Sequence, residues 1–129
     1  MTEITTNHSL APATRAVSVV LVTYNRASVL PQTLDSILGQ SYPDFELIIM
    51  DDCSPDHTEE VCREYEGRDP RVRYLRNSRN LGMPGNLNAG MLTSSGSYIA
   101  NLHDGDLYDP SLLEKWKRAL DENRHAAFV

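Results

Sequence analysis

Short apolar segments of strand length recur along the chain, separated by more polar stretches. Val17–Thr23 (VSVVLVT) is β-branched and nearly continuously apolar, and Phe45–Met50 (FELIIM) is similar. This pattern is typical of strands that are buried on both faces, as in a parallel sheet. We predict these two strands, two more at Val72–Leu75 and Ser97–Leu102, and the beginning of a fifth at Ala126–Val129.

Helical periodicity follows each of the first four strands. Apolar residues between positions 30 and 38 recur at helical spacing, with Ser28 as the expected N-cap and Pro31 in the first turn. Further helices are predicted at Thr58–Tyr65, Gly85–Leu92 and Pro110–Leu120. Strand and helix therefore alternate, which predicts an α/β domain with a mainly parallel sheet and flanking helices.

Polar residues follow each of the first four predicted strands, which is where a ligand site is expected. They are Thr23–Arg26, Asp51–Ser54, Asn77–Gly85 and His103–Asp106. In open parallel sheets, ligands bind beyond the carboxyl ends of the strands. We therefore expect these segments to form one site that is rich in carboxylates, amides and glycines.

Two pairs of acidic residues give this site its candidate chemistry. Asp104 and Asp106 form a D-x-D turn whose carboxylates could hold a divalent cation and leave positions for water and phosphates; acids and glycine also favour ordinary turns. Asp51 and Asp52 end the second strand. Either Asp52 or Ser54 orders the turn there and caps the next helix, or one of the two carboxylates accepts hydrogen bonds from a base or ribose. The residue pattern alone leaves both alternatives open at each pair.

A glycine-containing loop precedes the third predicted helix. Its Asn80-x-Gly82 turn could receive phosphate at the helix N-terminus, or it could be a connecting loop with glycine in a left-handed conformation. The sequence has no G-x-G-x-x-G after the first strand and no G-x-x-x-x-G-K-[ST]. Neither a dinucleotide-binding fingerprint nor a P-loop is therefore present.

Composition narrows the possible partners. The 129 residues include 12 Lys and Arg against 18 Asp and Glu, a net charge of −6, which argues against non-specific nucleic-acid binding. Cys53 and Cys62 lack CxxC spacing and are predicted to be reduced thiols in a cytosolic protein. No stretch approaches the roughly 18 apolar residues of a membrane helix, and residues 1–16 are predicted to form a flexible leader.

Three segments together resemble the nucleotide-binding half of family 2 glycosyltransferases, the inverting enzymes with the GT-A fold. They are VSVVLVTYNRASVLPQTLDSILGQSYPDFELIIMDDCSPD at Val17–Asp56, NLGMPGNLNAGM at Asn80–Met91 and GSYIANLHDGD at Gly96–Asp106. Each motif is modest, but their order at the strand ends is specific. The resemblance implies that residues 17–129 are the nucleotide-sugar-binding half of a cytoplasmic enzyme, with peripheral membrane contact an open alternative for the full-length protein.

The resemblance also implies a role for each matched residue. Nucleotide contacts are expected from the strand ends, with the T-Y-N turn acting largely through its backbone: Thr23, Tyr24, Asn25, Asp51, Asp52, Asn80, Gly82 and Asp104. Of the adjacent acids, Asp52 rather than Asp51 is expected to contact the base. Asp106, together with Asp104, is expected to ligate manganese or magnesium between the two phosphates. The donor is expected to be a UDP-sugar, with dTDP- and GDP-sugars less frequent.

The implied reaction is displacement at the anomeric carbon with inversion. The metal stabilises charge on the departing diphosphate, and an Asp or Glu base removes the acceptor proton. The family's general base lies downstream, beyond Val129, so we expect this chain to be a fragment that binds nucleotide and metal without transferring sugar by itself. Asn86, Leu87 and Asn88 stand where the family often has A-R-N, so the cationic contact of that Arg is not expected here.

Three other interpretations remain open from the sequence. The first keeps the fold but makes it a nucleotide-binding module without transferase activity. The second is a nucleotidyltransferase, which usually carries a glycine-rich basic signature where this chain has Thr23–Arg26, with one Arg and no glycine. The third is a structural α/β domain whose acids only form turns. The sugar, the oligomeric state and the acceptor (a glycan, a lipid-linked molecule or a protein) are not readable from the residues.

Overall fold

The computed structural model describes residues 15–129, which form a parallel sheet with helices on both faces. The strands are β1 Val17–Thr23, β2 Phe45–Asp51, β3 Val72–Arg76 and β4 Tyr98–His103. The helices are α1 Leu30–Leu38, α2 Thr58–Arg68, α3 Gly82–Leu92 and α4 Leu112–Glu122. The strand order is β3-β2-β1-β4, and every neighbouring pair is parallel.

The two faces of the sheet are covered by different helices. On one face, alternate residues of β1 and β2 pack against apolar side chains of α1, α2 and α4, such as Leu34, Cys62 and Leu113. On the other face, the intervening residues of β1 and β2 pack against Leu87 and Ala89 of α3. Burial on both faces explains why these two strands are nearly continuously apolar in sequence.

The predicted order of the first four strands and four helices is confirmed, with ends shifted by a few residues. Pro31 lies in the first turn of α1, as predicted, but Ser28 does not cap this helix. Val29 is the N-cap, and the N–H groups of Val29 and Leu30 donate to the carbonyl of Arg26. A backbone turn therefore provides the hydrogen-bond acceptor at the start of α1 that we expected from the side chain of Ser28.

Two further expectations concern the ends of the chain. The predicted strand at Ala126–Val129 is wrong, because these exposed residues pair with no strand within the described part of the chain. An apolar segment forms a strand only where a neighbour satisfies its backbone. Most of the predicted leader, residues 1–14, lies outside the described residues. Among residues 15–129, no helix has the length and apolarity needed to cross a membrane.

A buried carboxylate joins three segments at the amino ends of the strands. Glu46 accepts hydrogen bonds from Ser18 Oγ at 2.6 Å, from Ser95 N at 2.9 Å and from Arg73 Nη1 at 2.9 Å. Burial by itself would raise the pKa of Glu46, but these hydrogen bonds hold it below its ordinary value. The network ties the loop before β4 to β1 and β2, at the end of the sheet opposite the predicted site.

Replacing Gly90 by alanine should destabilise the fold. A Cβ at this position would lie 2.5 Å from Val20 Cγ1 and 2.8 Å from Met50 Cγ. Overpacking of a core in this way costs about 1–3 kcal/mol. We expect urea unfolding of Gly90→Ala to show that loss in the free energy of unfolding, because α3 cannot approach the sheet as closely.

Gly67→Ala in α2 is the matched control. Apart from its chain neighbours and the backbone of its own helix, no described atom lies within 4 Å of the added Cβ, and alanine is favoured over glycine within a helix by about 0.5–1 kcal/mol. This variant should be at least as stable as the wild type. A Gly90→Ala protein that unfolds at the same urea concentration as Gly67→Ala would contradict the close packing of α3.

Candidate functional site

An open cavity of about 380 Å³ lies at the carboxyl ends of the strands. All four polar segments that the sequence analysis assigned to one site contribute to its lining. The predicted residues that line it are Thr23, Tyr24, Asp52, Asn80, Gly82 and Asp104. Asn25, Asp51 and Asp106 lie outside this lining, so they can act there only through their neighbours or beside the cavity.

Asp51 is fully buried, and both of its carboxylate oxygens have protein partners. Oδ1 accepts hydrogen bonds from Ser54 N at 2.9 Å and Ser54 Oγ at 2.5 Å, while Oδ2 accepts one from Tyr74 Oη at 2.6 Å. Arg76 Nη1 lies 3.6 Å from Oδ2 and adds a favourable charge. This carboxylate therefore joins β2 to β3 and orders the turn through Ser54, which is one of the two residues that the sequence analysis expected to order it.

Asp52 has a different environment from its neighbour. Its Oδ1 accepts hydrogen bonds from Asn77 Nδ2 at 2.9 Å and from Leu81 N at 2.8 Å, which connects the end of β2 to the loop before α3. The side chain also lines the cavity. Among the described residues no donor reaches its Oδ2. Because no buried polar side-chain atom among these residues lacks a partner, Oδ2 must be accessible to solvent. Asp52 therefore offers the cavity an acceptor that Asp51 does not.

The turns after β1 and β2 are tied to each other. Ser54 Oγ, which donates to Asp51, also accepts a hydrogen bond from Asn25 N at 2.9 Å. Asn25 and Cys53 both have positive φ angles, of 56° and 64°. The backbone of Asn25 thus shapes the wall of the cavity although its side chain does not line it.

The D-x-D turn places its two acids differently. Asp104 lines the cavity, accepts a hydrogen bond from Thr23 Oγ1 at 2.8 Å, and has its Oδ1 4.0 Å from Arg26 Nε. Asp106 is exposed beside the cavity. Gly105 between them has φ +85°, a conformation that glycine adopts without strain.

The carboxylates of the D-x-D turn fit a divalent metal that takes its remaining ligands from substrate phosphates and water. Within residues 15–129, no three His, Cys, Asp or Glu side chains converge so as to hold a metal ion. Asp104 and Asp106 nevertheless supply two carboxylates, one of them oriented by Thr23. Magnesium and similar ions are commonly held by one or two carboxylates together with substrate phosphates and water.

The structure adds Asn86 to the lining and shows that three residues of the predicted segments, which had been given no individual role, also reach it. Arg26, Met83, Asn86 and His103 line the cavity together with the predicted residues. Asn86 is buried, donates to the Met50 carbonyl at 2.8 Å and accepts from an Asn77 side chain at 2.8 Å. A polar amide on the sheet-facing side of a glycine-rich helix is the sequence signal that could have identified it.

Leu87 stands where the related pattern often has arginine. It packs on the α3 side of the sheet beside Val20 and Met50. The cavity instead has a guanidinium from Arg26, in the turn after β1. Positive charge therefore reaches the site from a different element.

The fold and this strand-end site define the class of protein. The crystal structure of S. aureus TarS 1–349 in complex with UDP matches with a TM-score of 0.77 at 25% identity, over 84% of this chain and 32% of TarS 1–349. The fold is thus that of the GT-A glycosyltransferases, as the sequence predicted.

The sequence comparisons identify the family. Residues 18–129 match the model of Glycosyl transferase family 2, so the chain belongs to this family. The putative glycosyltransferase EpsE of Bacillus subtilis is 36% identical over 114 residues, which are 88% of this chain and 41% of EpsE. The putative teichuronic acid biosynthesis glycosyltransferase TuaG of the same organism is 35% identical over 99 residues, 77% of this chain and 39% of TuaG. The chain thus spans less than half the length of these curated relatives.

Removing the hydroxyl of Tyr74 should destabilise the protein through Asp51. Burial and the bond to Asp51 raise the pKa of Tyr74 well above its ordinary value, so this phenol remains a donor at neutral pH. Tyr74→Phe leaves a buried carboxylate oxygen without its closest donor, which costs about 1–3 kcal/mol. We expect this loss in the free energy of unfolding measured by urea denaturation.

Tyr98→Phe is the control for that measurement. Tyr98 Oη also donates to an aspartate, Asp121, at 2.8 Å, but this bond is exposed to water. Surface substitutions of this kind usually change stability by no more than about 0.5 kcal/mol. Equal losses in the two variants would mean that the Asp51 network is no more important than a surface hydrogen bond.

Proposed function

We propose that this chain binds the nucleotide of a sugar donor, a UDP-sugar, in the strand-end cavity, and that it is the donor half of an inverting glycosyltransferase. The observation that carries the proposal is the convergence of the four polar segments on one cavity. The match to TarS, whose crystal structure contains UDP, supports the choice of nucleotide. Residues 17–129 then correspond to the nucleotide-sugar-binding half of the domain.

Asp52 serves as the base-recognition residue in this proposal. It lines the cavity, and one of its carboxylate oxygens has no donor among the described residues, whereas both oxygens of Asp51 are bound within the protein. A uracil ring carries an N–H group that can donate a hydrogen bond to such an oxygen. Thr23 and Tyr24 form the wall beside the nucleoside, and Asn80 and Gly82 shape the loop opposite.

Asp104 and Asp106 bind manganese or magnesium together with the donor diphosphate. When bound, the metal acts as a Lewis acid that stabilises negative charge on the departing diphosphate. Thr23 orients Asp104 through the 2.8 Å hydrogen bond, and Arg26 adds positive charge to the same side of the cavity. The described residues thus hold and orient the donor.

Transfer of the sugar needs a carboxylate base that removes the proton of the acceptor hydroxyl. We assign none of the described carboxylates to this role and expect the base beyond Val129, so this chain alone should not turn over donor. The similarity to TuaG, a putative teichuronic acid biosynthesis glycosyltransferase, supports polysaccharide synthesis as the process. Two free cysteines fit a cytoplasmic location.

Titration calorimetry with UDP, dTDP and GDP, each with and without Mn²⁺, tests the proposal. We expect UDP to bind most tightly and Mn²⁺ to increase its affinity. Asp106→Asn should remove most of that increase, by at least about tenfold, which corresponds to about 1.4 kcal/mol. The physical reason is the loss of one charged metal ligand.

Glu122→Gln is the matched control, because it removes one exposed carboxylate at the end of α4. It should leave the Mn²⁺-dependent increase in UDP affinity unchanged. Equal UDP affinity with and without Mn²⁺ would contradict the metal assignment. Absence of nucleotide binding in every titration would contradict the proposed function of this chain, and turnover of a UDP-sugar onto an acceptor would contradict the assignment of the base to a downstream segment.

A further inference from the structure

The turn that carries Asp106 is bound to a buried hydroxyl of helix α1. Thr33 Oγ1 accepts a hydrogen bond from Gly105 N at 3.0 Å and donates one to the carbonyl of Asp106 at 2.9 Å. Thr33 is completely buried, whereas Gly105 and Asp106 are exposed. One side chain from the protein interior thus bonds to the peptide groups on both sides of the Gly105–Asp106 pair.

The contact with α1 continues along the loop that follows. Ser36 Oγ accepts a hydrogen bond from Tyr108 N at 3.2 Å. Gln40 Nε2 donates to the carbonyl of Asp109 at 2.7 Å, and Gln40 Oε1 accepts from Leu113 N at 3.0 Å. These polar side chains at the end of α1 therefore hold the backbone from the D-x-D turn to the beginning of α4.

The hydroxyl of Thr33 is not explained by the helix or by the core. Thr33 is the one polar residue on the buried side of α1, beside Leu30, Leu34 and Ile37. Threonine is a weaker helix former than leucine, and a buried hydroxyl is unfavourable unless it is hydrogen-bonded. Its partners are loop groups rather than the carbonyl one turn earlier in its own helix, which is the usual alternative.

We propose that Thr33 is a positioning residue for Asp106, fixing the backbone of the D-x-D turn so that this carboxylate can share a divalent metal with Asp104. The inference rests on the proposed function. The turn needs such a constraint for two reasons. Asp104 and Asp106 repel each other when no cation is bound, and Gly105 between them is the most conformationally permissive residue type. Thr23 orients Asp104 directly, whereas Asp106 is oriented through its backbone.

Ser18 provides a control that matches the chemistry of Thr33 at the other end of the sheet. It is also completely buried, and its Oγ accepts a hydrogen bond from Gly96 N at 2.8 Å and donates to Glu46 at 2.6 Å. Ser18→Ala therefore removes a bridging hydroxyl that holds a glycine-containing loop, without touching the cavity. A purely structural effect should appear in both variants.

The experiment measures UDP binding by calorimetry with and without Mn²⁺, and thermal unfolding, for wild type, Thr33→Val, Thr33→Ser and Ser18→Ala. Residues that orient metal ligands typically contribute about 10- to 100-fold to metal affinity. We expect Thr33→Val to lose at least about tenfold in the Mn²⁺-dependent gain of UDP affinity, with metal-free UDP affinity within about twofold of wild type. Thr33→Ser, which retains the hydroxyl, should show the Mn²⁺-dependent gain of the wild type. Ser18→Ala should lower the unfolding temperature but leave the Mn²⁺-dependent gain unchanged.

Other results would overturn the inference in recognisable ways. Thr33 would have only a structural role if Thr33→Val showed the same Mn²⁺-dependent gain of UDP affinity as the wild type, or if Ser18→Ala lost as much of this gain as Thr33→Val. The proposed function would remain intact in either case. A wild-type protein without Mn²⁺-dependent binding would instead overturn the proposed function, and the inference with it. If Thr33→Val does not fold, Thr33→Ala takes its place, because it removes the same hydroxyl from Gly105 N and the Asp106 carbonyl with a smaller side chain. A full Mn²⁺ gain in that variant would also overturn the inference.

Discussion

The in-register pairing of β1 with two parallel neighbours is the constraint on which the rest of the molecule depends. Val17 is opposite Phe45 on one side and Tyr98 on the other, and the ladder continues to Thr23 opposite Asp51 and Val22 opposite His103. Because all three strands run in the same direction, their carboxyl ends reach the same edge of the sheet. The turns after β1, β2 and β4 are therefore neighbours, although they are far apart in sequence.

Burial of those strand ends divides the acidic residues into two groups. Asp51 lies at the last paired position of β2, so its charge is taken up by Ser54, Tyr74 and Arg76 inside the protein. Asp52, one residue later, is also buried, but among the described residues only one of its carboxylate oxygens has donors, and its side chain lines the cavity. A buried carboxylate needs internal partners to be stable, whereas a carboxylate at a cavity can accept them from a ligand. The same element thus supplies both the support of the site and its binding group.

Buried side chains of two helices hold the walls of the cavity in place. Asn86 fixes α3 to the end of β2, and Thr33 fixes the turn after β4 to α1. Both side chains are buried within a helix and bond to backbone groups of another segment. Sites supported in this way are held more closely than sites on free loops, which suits a cavity built almost entirely from strand-end turns.

The sequence by itself determined the fold class, the order of the elements and the four segments that meet at the cavity. Continuously apolar, β-branched runs can be buried on both faces only in a sheet covered on both sides, and the polar turns after them must then share one edge. Tertiary structure decided what depends on distant partners. Tyr74 is 23 residues from Asp51 and Gly105 is 72 from Thr33, so no local pattern reveals which acid is bound internally or which threonine holds a turn. The segment at Ala126–Val129 has a strand-like composition but no partner among the described residues, because pairing is a property of the neighbour as well as of the segment.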